Sequence, residues 1–306
     1  MAKVKYGAMI NDARGKMDGV VYSKNANGAY VRTKVSPVQP QTVRQTLIRS
    51  RLGTLSKTFS TVISAAQQLA WNAFGKLNPV VDIFGDSQTL SGLAAFVRLN
   101  AAIINAGEAQ ISSPPANLEV IGLLSLSAQA LKAGDVAAAT GGSLTANVLT
   151  LAFAANPFVV GQTVSFSGFA AGGVDLNGTT MVISTRTAIE ITGAYVHANI
   201  VATGAGSVTS QAFLGLTFTA TPIGANKKLY IFATPGMNPG VQFFKPAMRF
   251  IGVSAVNQAS LFDAGALYAA RFGSMTATKV MGVMVSTIDY SKGALTPGVF
   301  VRVIIA

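Results

Sequence analysis

The feature that most constrains the fold is a change of period at Ser112-Ser113-Pro114-Pro115. From residue 42 up to that point, apolar residues recur at helical spacing; beyond it the chain breaks into short runs separated by Gly, Asn and Pro. The two patterns do not interconvert, because a strand sends alternate residues to opposite faces while a helix gathers every third or fourth on one. Two adjacent prolines withhold two amide donors and hold the backbone extended, which suits a boundary. The expected class is α+β and β-rich.

Ahead of the helical region, residues 20–24 and 29–34 read as a hairpin around Asn25-Ala26-Asn27-Gly28, with Asn27-Gly28 supplying the positive φ of a tight turn. Alternation places Lys24, Arg32 and Lys34 near one another. Ser36-Pro37-Val38-Gln39-Pro40-Gln41 is an extended connector. Thr42 suits the N-cap of a first helix with an apolar stripe of Leu47, Leu52, Leu55 and Phe59, and Gly53 is expected to bend or stop it. A second helix is expected from Thr61 to about Phe74, with Val62, Ile63, Ala66, Leu69, Ala70 and Phe74 on one side. Trp71, the single tryptophan, is the structural anchor of this small core. A third helix is expected over residues 89–105, with Leu93, Phe96, Val97, Leu99 and Ile103 apolar.

Past the prolines, residues 145–153, 162–169, 179–186 and 188–195 have strand length and pattern. Thr140-Gly141-Gly142-Ser143 and Thr203-Gly204-Ala205-Gly206-Ser207 have the composition of flexible linkers, so residues 140–208 read as an inserted β module. Further strands are expected at 213–220, 227–234, 242–253, 280–289 and 299–305, interrupted by a helix at 260–272 with Ser260 as its N-cap. The organisation is thus a basic extended or hairpin arm (1–41), a helical region (42–111), a β-sandwich-like domain (117–139 with 209–306) and the inserted module (140–208).

Charge is segregated along this plan. Residues 1–57 hold eleven Lys/Arg against Asp12 and Asp18, a net of +9 out of the chain's +12. Charged residues are 11% of the whole, against about 25% in an ordinary soluble domain. So little charge fits either a membrane protein or a subunit buried by neighbours. A spanning helix needs about 20 consecutive apolar residues, and the best run, from Val120 to Leu131, is broken by Ser125, Ser127 and Gln129. Burial in an assembly, with no membrane, is the better account. Nor does an apolar leader core follow the first ten residues.

Little catalytic chemistry is legible. The chain has no Cys and a single His197, which removes thiolate, disulfide and His-cluster chemistry. It carries no phosphate-binding loop and no nucleophile elbow. Residues 171–178 have a faint calcium-loop pattern but lack the carboxylates a hard cation needs, so no metal or cofactor is expected. The positive signal is the set Arg14, Lys16, Lys24, Arg32, Lys34, Arg44, Arg49 and Arg51, interleaved with Tyr6, Tyr22 and Tyr30. Such a set can dock on an acidic partner, neutralise phosphates and stack bases, or form a solvated face.

Two groups of segments carry a resemblance. Arg14-Gly15-Lys16, Gly19-Val20-Val21-Tyr22-Ser23, Gly28-Ala29-Tyr30-Val31-Arg32 and residues 35–42 are followed by Gln45, Arg49 and Gln68-Leu69-Ala70-Trp71-Asn72-Ala73-Phe74. Further on come Ala233-Thr234-Pro235, Pro239-Gly240, Arg249-Phe250-Ile251-Gly252 and Tyr268-Ala269-Ala270-Arg271-Phe272-Gly273. Over residues 14–74 and about 212–306 the chain resembles a group of structural proteins of tailed bacteriophages and prophages. The resemblance implies a non-enzymatic virion component that assembles with other virion subunits and with copies of itself. A capsid decoration or minor capsid protein is the first expectation. A tail or head–tail connector component, or an internal virion protein with nonspecific contact to genome DNA, is the alternative. A glycan-binding adhesin is a third class, but the 140–208 module lacks clustered aromatics for it. The group has no catalytic motif to carry over.

Overall fold

The computed structural model describes the chain except residues 1, 8–9, 26–27, 35–38, 83, 121, 171–175 and 220–222, and only the backbone of residues 2, 201 and 202. The protein is α+β and strand-rich, in two units: residues 1–101 with 112–114, and residues 102–111 with 115–306.

The first unit begins with an antiparallel sheet of β1 (Ala2–Lys3), β2 (Gly15–Met17), β3 (Val20–Asn25) and β4 (Gly28–Thr33), in the order β1-β4-β3-β2. The hairpin lies where the sequence placed it, although its turn residues 26–27 fall outside the described set. Asn25 pairs with Gly28, so Lys24 faces Ala29 and Arg32 faces Val21. Directly paired residues share a face, and neighbours along a strand do not. Lys24 therefore lies on the face opposite Arg32 and Lys34, which corrects the expected cluster of three. Of the connector 36–41, residues 36–38 are also outside the described set.

Helix α1 (Val43–Thr61) opens with a capping box: Thr42 Oγ1 accepts from Gln45 N–H, and Gln45 Oε1 accepts from Thr42 N–H. Gly53 does not stop it. A mid-helix Gly costs about 1 kcal/mol relative to Ala, and the next two turns bury Leu55 and Thr58 and set Phe59 against Phe96, with ring centroids 5.4 Å apart. Because α1 runs on to Thr61, the second helix starts later than expected. Helix α2 (Ala65–Leu77) is capped by Ser64 through its own box with Gln67. Trp71 and Gly75 are the buried residues of α2, while Leu69 and, at the end of α1, Val62 are exposed.

Trp71 is fully buried and meets Phe96 edge-on at 5.3 Å, while its Nε1–H donates to Ser112 O at 2.8 Å. Burial of the indole body and satisfaction of its one donor together make it the centre of this core. Gly75 is required here, since a Cβ would lie 2.4 Å from Leu90 O. A short pair, β5 (Val80–Val81) and β6 (Ser87–Gln88), leads to helix α3 (Gly92–Asn105). Two side chains fix its start: Gly92 N–H donates to Asn72 Oδ1 and Ala94 N–H to Ser91 Oγ.

In the second unit, β7 (Ser125–Leu131) runs toward a β module, and β16 (Phe213–Thr219) returns beside it with Leu131 opposite Phe213. The ribbon continues through β8 (Val136–Thr145) and β15 (Gly206–Ser210), with Val136 opposite Thr209 and Ala139 opposite Gly206. Between them lie β9 (Val148–Phe153), β10 (Thr163–Ser167), β11 (Thr180–Val182), β12 (Thr185–Arg186), β13 (Glu190–Ala194) and β14 (Ile200–Thr203). These strands form one antiparallel sheet with its own core, including Leu144, Leu149, Leu151, Phe158, Val164 and Phe166. The two Gly-rich segments expected as linkers are therefore largely strand. Gly141 and Gly142 sit in β8, and Gly206 pairs in β15, because ladder hydrogen bonds outweigh the entropy that ordering glycine costs.

Beyond the ribbon, β17 (Lys227–Ala233), β18 (Arg249–Val253), β20 (Val280–Asp289), β21 (Ala294–Leu295) and β22 (Val299–Ile304) form a second sheet, and β19 (Phe262–Asp263) pairs with β16. A parallel bridge between Ala130 and Ile305 joins the two sheets along one edge, so together they curl around a single core. Only residues 249–253 of the expected strand 242–253 are extended. Pro246 lacks the N–H a ladder needs, and residues 245–247 form a 3-10 turn instead.

Helix α4 (Gly265–Phe272) starts five residues after the expected cap Ser260. Asp263 performs that task, its Oδ1 accepting from Gly265 N–H at 2.7 Å and Leu214 N–H at 3.0 Å. Burial pushes the Asp263 carboxyl above its usual range, against those two donors.

The β8–β15 pairing predicts that the module can be removed. Replacing residues 140–205 with Asn-Gly leaves Ala139 and Gly206, already partners, flanking a two-residue hairpin. The shortened chain should melt cooperatively in calorimetry; loss of the transition would show that the curled core needs the module.

Candidate interaction surface

Lysines and arginines of the first unit divide into those the fold neutralises and those it leaves. Lys3 Nζ lies 2.8 Å from Asp82 Oδ2, and Lys5 Nζ lies 2.6 Å from Asp86 Oδ2 and over the Phe84 ring. Both carboxylates flank the β5–β6 turn, so these pairs tie the start of the basic segment to the helical region. The Lys5–Asp86 pair is exposed on both sides, and such pairs are worth about 0–1 kcal/mol. The Lys3 pair is better sheltered, and Asp82 Oδ1 also accepts the N–H groups of Phe84 and Asp86. The Lys3 hydrogen bond foremost holds the Asp82 carboxyl down to about 2, with those two amides assisting against desolvation. Sequence reasoning missed this tie; its signal was two Asp residues four apart around Phe84-Gly85.

Of the basic residues singled out from sequence, Arg14 is paired with Asp12 at 3.0 Å. Lys16 is opposite Val21, which is opposite Arg32, so Lys16 and Arg32 share one face of the sheet across three strands. Lys34 extends the ladder, its N–H donating to Gly19 O, and alternation puts it on the Arg32 face. Lys24 is on the other face. Lys16, Lys24, Arg32, Lys34 and Arg44 form no ion pair among the described residues.

Arg44, Arg49 and Arg51 lie on the first half of α1. Arg49 donates to Gln39 Oε1. Every residue of 43–54 is exposed except the half-buried Arg51. That includes Val43 at 89%, Leu47 at 46%, Ile48 at 49% and Leu52 at 51%. The expected apolar stripe of this helix is thus inward only from Leu55 on. Its first three turns present cations and aliphatic side chains together on a segment that contributes no buried residue.

His197 Nδ1 lies 3.1 Å from Ala198 O, and its ring lies beside Tyr195. Part of the calcium-like segment, residues 171–175, lies outside the described set. In the remainder, Asn177 spends its amide on the Phe169 backbone. Among the described residues, no three His, Cys, Asp or Glu side chains gather, and no helix is long and apolar enough to cross a membrane. No protein-family model matches the chain, and a search of curated proteins finds none similar to it.

The Asp82 carboxyl supplies a pH test. Its folded-state value is depressed, so its contribution is complete above the ordinary value of 3.8 and is lost as pH falls toward about 2. The Val4 amide, bonded to Ala29 O, should exchange faster across that window. Asp82→Asn should show the faster exchange already at neutral pH. Equal protection in both proteins would refute the tie.

Proposed function

We propose that the chain is a structural subunit of a tailed-phage virion, a capsid decoration or minor capsid protein that docks through its basic first unit on an acidic neighbour. One observation carries this reading: residues 43–54 of α1 expose four large aliphatic side chains among arginines. Fully burying each such side chain is worth about 1.5–3 kcal/mol, so a neighbour covering this helix gains several kcal/mol that folding alone leaves unused. The cations beside them select a partner surface with carboxylates. The sequence resemblance and the scarcity of charge over the rest of the chain support the same reading. Assembly with copies of itself in the virion belongs to this proposal, and a tail or connector component would use the same docking chemistry.

A second reading, contact with genome DNA inside the virion, is favoured by the row formed by Lys16, Arg32 and Lys34 on one sheet face. Salt separates the two. DNA affinity that rests on phosphate neutralisation falls with log salt at a slope of about 0.9 per contact on duplex DNA.

Particles purified from cells carrying the gene should contain the chain in many copies by quantitative mass spectrometry. Ile48→Asp combined with Arg44→Gln and Arg49→Gln should leave the melting temperature unchanged and abolish incorporation. Absence of the native chain from particles would overturn the proposal. A steep salt slope in a DNA titration would move the assignment to genome contact.

A further inference from the structure

The second unit carries an apolar cleft that the docking role of α1 does not use. Alternation sends Leu229, Ile231, Met281, Val283 and Val285 into the core and Phe232, Met284 and Phe300 to the opposite face of the sheet. Residues 242–248 lie over that face, where Phe243, Phe244 and Met248 complete a cleft of about 530 Å³. This is within the range of about 300–1,000 Å³ typical of binding pockets.

The cleft is built into the sheet. Phe244 is buried against Phe300, ring centroids 5.8 Å apart, directly over Gly282. A Cβ at 282 would lie 2.9 Å from Phe244 Cγ and 2.8 Å from Phe300 Cε2, so only glycine lets the arch rest there. Yet the walls are not fully covered: Phe243 is 71% exposed and Phe300 48%. Ile304, on the same face of β22, continues the apolar surface. Large aromatics gathered on one exposed face mark a recognition surface more than scattered ones do.

Its charge is one-sided. Lys245 lines the cleft, and Arg302 stands between Phe300 and Ile304 on the same face, its guanidinium donating to Pro239 O at 2.7 Å. Neither forms an ion pair among the described residues, and no carboxylate lines the cleft among them.

We propose that this cleft binds an acidic segment of another protein, which inserts one aromatic or large aliphatic side chain between Phe243 and Phe300 and sets carboxylates against Lys245 and Arg302. A small anionic amphiphile would fill the cleft but leave Arg302 and Ile304 uncovered, whereas an extended segment covers both. A second copy fits poorly. Each copy carries +12, and the turn with the right chemistry, around Asp82, Phe84 and Asp86, is already engaged by Lys3 and Lys5. The proposal does not depend on the virion reading, because the cleft shares no residue with α1.

The test titrates the full chain into a fluorescently labelled Asp-Glu-Phe-Leu-Asp-Glu peptide and follows anisotropy at low salt. Saturable binding is expected. Phe243→Asp and Lys245→Glu should each weaken it about tenfold, as loss of an anchor or of a facing charge does, without lowering the melting temperature. A Lys-Lys-Phe-Leu-Lys-Lys peptide should not bind. The proposal is overturned by no saturable binding, by acidic-peptide affinity that Phe243→Asp leaves unchanged, by saturable binding of dodecanoate in place of the peptide, or by a dimer in sedimentation that Phe243→Asp dissolves. Failure of particle incorporation would leave this binding intact, so the two readings fail separately.

Discussion

Strand β20 is the element on which the second unit depends. All ten of its residues except Met284 are buried, and it pairs with β17 along one edge and with β22 and then β21 along the other. Its inner residues Met281, Val283 and Val285 share one core with Leu214 and Leu216 of β16, in the other sheet, and with Leu229 and Ile231 of its neighbour β17. Its outer residues are covered in turn: Gly282 by Phe244, and Ile288 by Tyr230 and Ala106 at the end of α3. Lys228 secures that end, donating to Ala106 O at 2.8 Å and pairing with Glu108 at 2.6 Å. A cation at a helix C-terminus satisfies a carbonyl and opposes the helix dipole in one contact. A strand covered on both faces reads as a near-continuous apolar run, and residues 280–285 do, before the buried Ser286 and Thr287.

How much of this was legible follows from where the physics is local. Thr42 and Gln45 announce α1 because both halves of a capping box lie within four residues. The buried strand at 280–289 was visible for the reason just given. What failed was decided elsewhere in the chain. Thr145 ends one strand and Val148 begins another, through a two-residue turn with φ of 50° at Ala146 and 62° at Asn147. Alanine gives no turn signal, so the turn stayed hidden inside the expected strand 145–153. The face of Lys24, by contrast, was legible: strands that end at Lys24 and resume at Ala29 pair those two residues, which sets Lys24 and Arg32 on opposite faces.

The candidate surfaces were unevenly legible for a related reason. A count of charge locates a basic segment, but cannot tell Lys3 and Lys5, which the β5–β6 turn neutralises, from Lys16 and Arg32, which it does not. The apolar residues of α1 read as a core stripe, because periodicity reports a face and not what covers it. Only the packing separates Leu55, which is buried, from Leu47, Ile48 and Leu52, which stay about half exposed. The aromatic cleft was read as ordinary strand, its one warning being Pro246 in the middle of the run.

The central claim is that the first half of α1 is a docking helix, exposed in the free chain and covered in the assembly. Hydroxyl-radical footprinting reads side-chain accessibility in both states. The account predicts strong labelling of Leu47, Ile48 and Leu52 in the purified chain and protection of all three in intact particles, with Leu55 protected in both. Equal labelling of Leu47, Ile48 and Leu52 in the two states would contradict it.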